Sequence, residues 1–251
     1  HNFWNVPKSS VVLGASGVSS LIAIIPFLNP LSTVSIQQPT YSEYKLSFER
    51  VGYKVLKTGG EINVIVNPNN PDGKIQKVNE ILENHKRLTI IDESFCDLYP
   101  ENSLINLASQ PGFIILKSFG KFWGLAGLRL GFAIGRPETV NPIKYALGPW
   151  QISGPALSIG CQALHDIKWA EKTRANLYES AIRLDKIMKR YRLSGGTNLY
   201  RLYFVTDAKK LFRKLASNKV LIRNFDYNRN WVRIGLPKQE KDWEILEKAL
   251  K

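Results

Sequence analysis

The sequence predicts an α/β protein. Residues 1–148 read as a large domain with a mostly parallel sheet and helices on both faces; residues 149–251 read as a linker helix and a smaller α+β domain. Three observations predict this. Short β-branched or leucine-rich runs alternate with amphipathic stretches through the first two-thirds of the chain, the pattern of strands buried on both faces. These runs are bounded by Gly, Pro, Asn or charge. After Pro149 the texture changes to long, charged segments of helical period.

In chain order, Gly14-Ala15-Ser16-Gly17 reads as a turn that opens a helix over 18–28. No charged residue occurs from Ser9 to Ser42. Gly14, Ser16, Gly17, Ser19, Ser20, Pro26, Asn29 and Pro30 nevertheless interrupt the apolar run of about 20 residues that a membrane span needs. A buried helix is expected there, and no membrane partner. Strands are expected over 34–37, 62–66, 88–91, 113–116 and 130–134, with helices over 44–51 and 78–85 between them. Farther on, helix is expected from 153 to 190, then a strand over 199–204 and a helix over 208–216. Short strands over 220–223 and 231–234 and a last helix from Lys238 complete the order. In an open α/β sheet, ligands bind outside the carboxyl ends of the strands.

Composition narrows the function. The 251 residues are 44% hydrophobic and 22% charged, which suits one or two globular domains. A net charge of +14 raises the question of nucleic acid. Lys and Arg are spread along the chain, much of the excess lies after residue 168, and no dense basic run is interleaved with aromatics. No nucleic-acid partner is therefore expected. Cys96 and Cys161 make neither a disulfide framework nor a zinc spacing, and His1, His85 and His165 stand singly. No metal is expected, and the compartment expected is the reducing cytoplasm. The first residue is His1 rather than Met, so the chain is expected to lack its true start.

Several segments carry polar groups at the ends of apolar runs. Residues 116–131 end a strand, present Ser118 and Lys121 in a small-residue turn, and lead through glycines to Arg129. Phe119, Phe122 and Trp123 surround Lys121 in sequence, which predicts partial desolvation. Desolvation disfavours the charged amine, and a neutral amine is the nucleophile a carbonyl group needs. Asn67-Pro68-Asn69-Asn70-Pro71-Asp72-Gly73 is built of turn formers. Asp92 ends a buried strand, where a carboxylate needs a cationic partner. Gly14–Gly17 places backbone N–H groups where an anion is favoured. Tyr41 follows the second strand, and Arg233 sits inside an apolar strand, where it too needs a partner.

In this order, from residue 14 to residue 235, the segments resemble those of fold-type I pyridoxal-phosphate enzymes of the class I/II aminotransferase family. The resemblance implies that Lys121 holds pyridoxal 5′-phosphate as a Schiff base. It gives the cofactor phosphate to Ala15, Ser16, Ser118 and Arg129, the ring oxygen to Asn70, the ring nitrogen to Asp92 and a stacking role to Tyr41. Lys121, Asp92 and Tyr41 are the implied catalytic residues. Arg233, Arg201 and Asn70 are the implied substrate contacts, with the choice between substrate phosphate and carboxylate left open for the arginines. A homodimer is implied, because the family builds each site at a dimer interface.

Residues 146–157, the Ser118–Trp123 loop, residues 195–201 and residues 233–237 are similar to the threonine-phosphate decarboxylase branch, which serves cobalamin biosynthesis. That similarity implies a phosphorylated amino acid as substrate and decarboxylation of L-threonine O-3-phosphate to (R)-1-aminopropan-2-yl phosphate and CO2. The alternatives are a histidinol-phosphate-type aminotransferase and, in another class, an inactive or regulatory aminotransferase-like domain. Two departures stand out. Phe95 replaces a tyrosine common in the family, which removes a hydrogen-bond donor to the ring oxygen. Only thirteen residues precede Gly14, fewer than the family's N-terminal arm.

Overall fold

A computed structural model describes residues 2–29 and 32–251. These divide into two compact units. One comprises residues up to Asn70 together with Ile75–Lys168; the other comprises Pro71–Lys74 and Trp169–Lys251.

The large unit contains strands β1 (Val11–Ala15), β2 (Thr33–Ile36), β3 (Lys54–Leu56), β4 (Ile62–Val66), β5 (Leu88–Asp92), β6 (Phe113–Ser118) and β7 (Gly131–Gly135). Its helices are α1 (Val18–Ile24), α2 (Ser42–Arg50), α3 (Val78–Glu83), α4 (Pro137–Leu147) and α5 (Gly154–His165). The seven strands form one sheet in the order β1-β7-β6-β5-β4-β2-β3. The pairs from β3 to β6 are parallel, whereas β7 runs antiparallel to both β6 and β1. Consequently β1, β2, β4, β5 and β6 all point their carboxyl ends to the same edge. All five residues of β5 are buried, and Val34, Ile36, Ile62, Val64, Ile90, Ile114 and Leu116 join one core. Burial of this kind stabilises by about 1.5–3 kcal/mol per large aliphatic side chain. It also fixes the register that lines up Val66, Asp92 and Leu116.

The mostly parallel α/β sheet agrees with the sequence expectation. Two strands of this sheet were not expected. β1 contains Gly14 and pairs with β7 alone, and β3 is a three-residue edge strand. Neither carries the run of buried apolar residues that marks an interior strand.

The small unit takes most of α6 (Ile167–Ile187), then β8 (Arg192–Thr197), β9 (Tyr200–Phe204), α7 (Ala208–Ser217), β10 (Arg223–Phe225), β11 (Asn228–Gly235) and α8 (Glu240–Leu250). Its sheet is antiparallel throughout, in the order β10-β11-β9-β8. Leu184, Met188, Tyr203, Leu211, Leu215, Val232, Ile234, Trp243 and Leu246 share its core. Asp207 caps α7 by accepting from Lys210 N, and Gln239 with Asp242 forms a capping box on α8. The Pro71–Lys74 segment joins this unit through Gly196 N, which donates to Asp72 O at 2.7 Å.

Three boundaries differ from expectation. The helix expected over 153–190 is two helices, because Asp166 leaves the helical region at φ −84 and ψ 69. The division between units falls after Lys168 rather than after residue 148. Helix α5 packs within the large unit so closely that a Cβ on Gly160 would lie 2.5 Å from Leu130 Cδ2. The strand expected over 220–223 begins only at Arg223. Ile222 is instead buried in the small core, and Leu221 is 82% exposed. No helix among the described residues is long and apolar enough to cross a membrane. No group of three or more His, Cys, Asp or Glu among them could hold a metal ion.

Candidate active site

At the carboxyl edge of the large sheet lies a cleft of about 710 Å³, counted to its open mouth. Its lining comes from the start of α1 (Gly17, Val18, Ser19), the turns after β2 and β4 (Tyr41, Asn70), the end of β5 (Asp92, Ser94, Phe95) and the β6–β7 loop (Ser118, Lys121, Arg129). Segments far apart in sequence meet here because the parallel strands bring their carboxyl ends to one edge.

Asp92 is the electrostatic centre. It is 4% exposed, yet it lines the cleft. Tyr44 Oη donates to Oδ2 at 2.8 Å, and Ser94 N donates to Oδ1 at 2.8 Å. No cationic side chain among the described residues lies within ion-pairing distance of it. Burial pushes the carboxyl above the usual carboxylate range; the bonds from Ser94 and Tyr44 and the charge of Lys121 oppose that push. A buried carboxylate lacking a cation is a group waiting for one. A protonated pyridine nitrogen meets that need, so this end of the cleft fits pyridoxal phosphate.

Lys121 requires a correction. Its aromatic neighbours do not bury it, although their nearness in sequence predicts that they do. Phe119, Phe122 and Trp123 are 0%, 3% and 4% exposed, turned into the core, while Lys121 is exposed on the cleft side of the loop. Its Nζ stands 5.5 Å from the centroid of the Phe95 ring. The amine is thus accessible, with a carboxylate and an aromatic face nearby.

At another part of the cleft, Arg129 ends a short 3-10 turn in the left-handed conformation, with φ 52 and ψ 50. Its guanidinium lies over Gly17. A Cβ there would come 2.7 Å from Nη2, and Gly17 also has φ +84, so only glycine fits. Arg129 has no carboxylate partner among the described residues. Ser118 Oγ accepts from Gly120 N at 3.2 Å. This cluster of a guanidinium, a hydroxyl and the start of α1 suits a phosphate. Ala15 and Ser16 do not line the cleft. Ala15 is fully buried, and the Ser16 hydroxyl donates to Gln151 O at 2.5 Å. Gly17, Val18 and Ser19 present this turn instead.

Among the asparagines after β4, Asn67 is engaged by Asn102 O and Gln76 N, and Asn69 by Pro39 O and the Thr40 hydroxyl. Asn70 is the one that lines the cleft. Tyr41, 37% exposed, meets Tyr44 edge-on at 6.3 Å. Its phenol is raised by burial and then by Glu43 and Asp92. Tyr44 itself was not foreseen, since an aromatic on an amphipathic helix reads as core packing.

The small unit holds the expected arginines. Arg201 is committed to Asp185, with Nε to Oδ1 at 3.0 Å and Nη2 to Oδ2 at 2.5 Å, and Tyr203 Oη donates to the same carboxylate. That fork joins β9 to α6 and leaves Arg201 poorly suited to the substrate contact expected of it. Arg233 lies 4.8 Å over the Tyr200 ring and directly across the strand pair from Arg223. Burial lowers its affinity for the proton, and the Arg223 charge lowers it further. Two guanidinium groups in cross-strand positions are an arrangement that suits an anion. Arg223 escaped the sequence reading because it borders an apolar run that resembles an ordinary strand.

Comparison with known proteins supplies the context. Residues 57–249 match the family described as "Aminotransferase class I and II". The chain is similar to a threonine-phosphate decarboxylase of Pseudomonas aeruginosa, 32% identical over 257 residues that span 95% of this chain and 77% of the relative. It is 36% identical over 242 residues to a threonine-phosphate decarboxylase of a Sinorhizobium species, spanning 89% and 72%. The fold is that of the histidinol-phosphate aminotransferase from Sinorhizobium meliloti solved in complex with pyridoxal-5′-phosphate. That match has a TM-score of 0.80 at 17% identity and covers 95% of this chain and 75% of that one.

Proposed function

The chain belongs to the aminotransferase class I and II family, and on that premise we propose that it is a pyridoxal-phosphate-dependent carboxy-lyase. It converts L-threonine O-3-phosphate to (R)-1-aminopropan-2-yl phosphate and CO2, a step of cobalamin biosynthesis, as a cytoplasmic homodimer. The observation that carries the cofactor is Asp92, a buried carboxylate without a cationic partner, beside an accessible lysine. The choice of reaction rests on the similarity to two decarboxylases at 32% and 36% identity.

Bound pyridoxal phosphate supplies an electron sink for a bond broken at the substrate α-carbon. Lys121 holds it covalently. Arg129, Ser118 and the Gly17–Ser19 turn hold its phosphate, Asn70 its ring oxygen, and Tyr41 covers its ring. Asp92 keeps a proton on the ring nitrogen, and Tyr44 and Ser94 keep Asp92 oriented. Lys121, exposed on the cleft, would also be the group that returns a proton to the α-carbon after CO2 departs.

Orientation decides which bond breaks. The bond that breaks would be the one that the site's residues present to the electron sink. An aminotransferase presents hydrogen there, and a decarboxylase presents the carboxylate. Arg233, with Arg223 across the strand, is the anion-binding pair we assign to the substrate. Binding the substrate phosphate, remote from the reacting carbon, would spend binding energy on orienting the carboxylate for cleavage.

The expected result is CO2 from L-threonine O-3-phosphate and little glutamate from histidinol phosphate with 2-oxoglutarate. The opposite pattern would establish an aminotransferase. Unphosphorylated threonine should lose about 100-fold or more, in turnover as well as apparent affinity, because the phosphate contacts set orientation. Equal turnover on threonine would remove the phosphate from the mechanism.

A further inference from the structure

The cleft stands above a buried polar cluster that the chemistry so far does not use. Strand alternation turns Glu93 and Lys117 away from Asp92 and Ser118. Lys117 Nζ is 2.6 Å from Glu93 Oε2 and 3.7 Å from Asp97 Oδ1, and all three residues are at most 4% exposed. Ser103 Oγ donates to Glu93 Oε2 at 2.7 Å, and Leu104 N donates to Oε1 at 2.5 Å. Asp97 divides its carboxylate between two indoles. Trp4 Nε1 donates to Oδ1 at 2.9 Å, and Trp123 Nε1 donates to Oδ2 at 2.7 Å. Burial pulls the Lys117 ammonium down, but Glu93 and Asp97 hold it above its ordinary value.

Two carboxyl groups share one lysine in this buried site, and two indole N–H groups also donate to Asp97. Replacing such a cluster with apolar side chains is often neutral or stabilising, so stability alone does not account for it. Its placement does. Glu93 follows Asp92, Lys117 precedes Ser118, and Trp123 lies two residues beyond Lys121. The lysine loop is closed by its own backbone bonds, Phe119 N to Leu130 O, Leu125 N to Phe119 O and Gly124 N to Lys121 O. The Trp123 ring stacks on Phe119 at 5.5 Å and 18°. The indole N–H then ties this closed loop to the segment that leaves Asp92.

We propose that Trp123 and Asp97 are positioning residues, a buried indole–carboxylate bond that sets the Lys121 amine against the cofactor that Asp92 holds. The proposal rests on the assignment of Lys121 above. It predicts that the bond tunes the electronic state of the bound cofactor, beyond holding the fold together. Trp4 provides the comparison, because it bonds the other oxygen of the same carboxylate from outside the lysine loop.

The test is the visible absorption of the cofactor-loaded enzyme titrated with pH, alongside steady-state kinetics. Trp123→Phe should move the midpoint of the absorbance change by about 0.5 pH unit or more and lower kcat about tenfold, with KM within about twofold. Trp4→Phe should leave the midpoint in place, whatever it does to melting temperature. Asp97→Asn should shift the midpoint as Trp123→Phe does, and it decides the matter if Trp123→Phe does not fold. An unmoved midpoint and kcat in folded, loaded Trp123→Phe or Asp97→Asn overturns the proposal, as does an equal shift in Trp4→Phe. Borohydride fixation on the wild-type enzyme separates the two levels. Cofactor found on another lysine refutes the assignment of Lys121 itself, whereas cofactor on Lys121 with unmoved midpoints refutes only the positioning role.

Discussion

Lys121→Ala should bind pyridoxal phosphate only reversibly, resist borohydride fixation, and turn over at least about 10³-fold more slowly. The size of the loss follows from two roles in one amine. On the proposed reading Lys121 would hold the cofactor and would also supply the proton to the α-carbon. The substitution should cost little stability, because the side chain is exposed, with its amine over the face of Phe95. Mass spectrometry of reduced, digested protein checks the first part and turnover the second. A variant still covalently fixed by borohydride would move the cofactor to another lysine.

Asp92→Asn should have two effects of opposite sign. Turnover should fall about 10²–10³-fold, since a neutral amide no longer holds the proton on the ring nitrogen. The cofactor-free protein should become more stable at neutral pH. An asparagine can keep both native bonds, accepting from Ser94 N through Oδ1 and donating from Nδ2 to Tyr44 Oη, without a buried charge. The sign follows from linkage. The folded carboxyl is raised above its unfolded value, mainly by burial. Between those two values the native state binds more protons than the unfolded state, and stability falls as pH rises. The variant escapes that loss. Its advantage in thermal melts should therefore grow as pH rises above the unfolded carboxylate value of about 4 and vanish below it. Full activity, or lower stability at neutral pH, would make Asp92 a structural residue.

The legibility of this protein in its sequence follows burial. β5 and β6 were readable because nearly all their residues are buried, Ile90, Ile114 and Leu116 among them, and leave no alternation to misread, and β4 because its short apolar run is bounded by Gly, Glu and Asn. β1 and β3 were not, since half-buried edge strands lack that signature. Asp92 and Lys121 were readable as polar groups that end apolar runs. The exposure of Lys121 was not, because a tight loop can turn three neighbouring aromatics inward and a lysine outward. The Arg201 ion pair was not readable because its partner Asp185 lies on another element, and no local pattern announces a tertiary ion pair. Tyr44 and Asp97 were invisible for the same reason, since their partners are set by how elements pack rather than by spacing along the chain.

The most direct test of the decarboxylase assignment is the fate of the substrate's α-hydrogen. L-Threonine O-3-phosphate should be incubated with cofactor-loaded enzyme in deuterium oxide and the product examined by mass spectrometry and NMR. Decarboxylation predicts 1-aminopropan-2-yl phosphate that has lost the carboxyl group, retained its original α-hydrogen and gained one solvent deuteron on the same carbon, delivered by Lys121. Recovery of substrate or keto acid with the carboxylate intact and the α-hydrogen exchanged or lost would contradict this account and show that the site presents hydrogen, as an aminotransferase does.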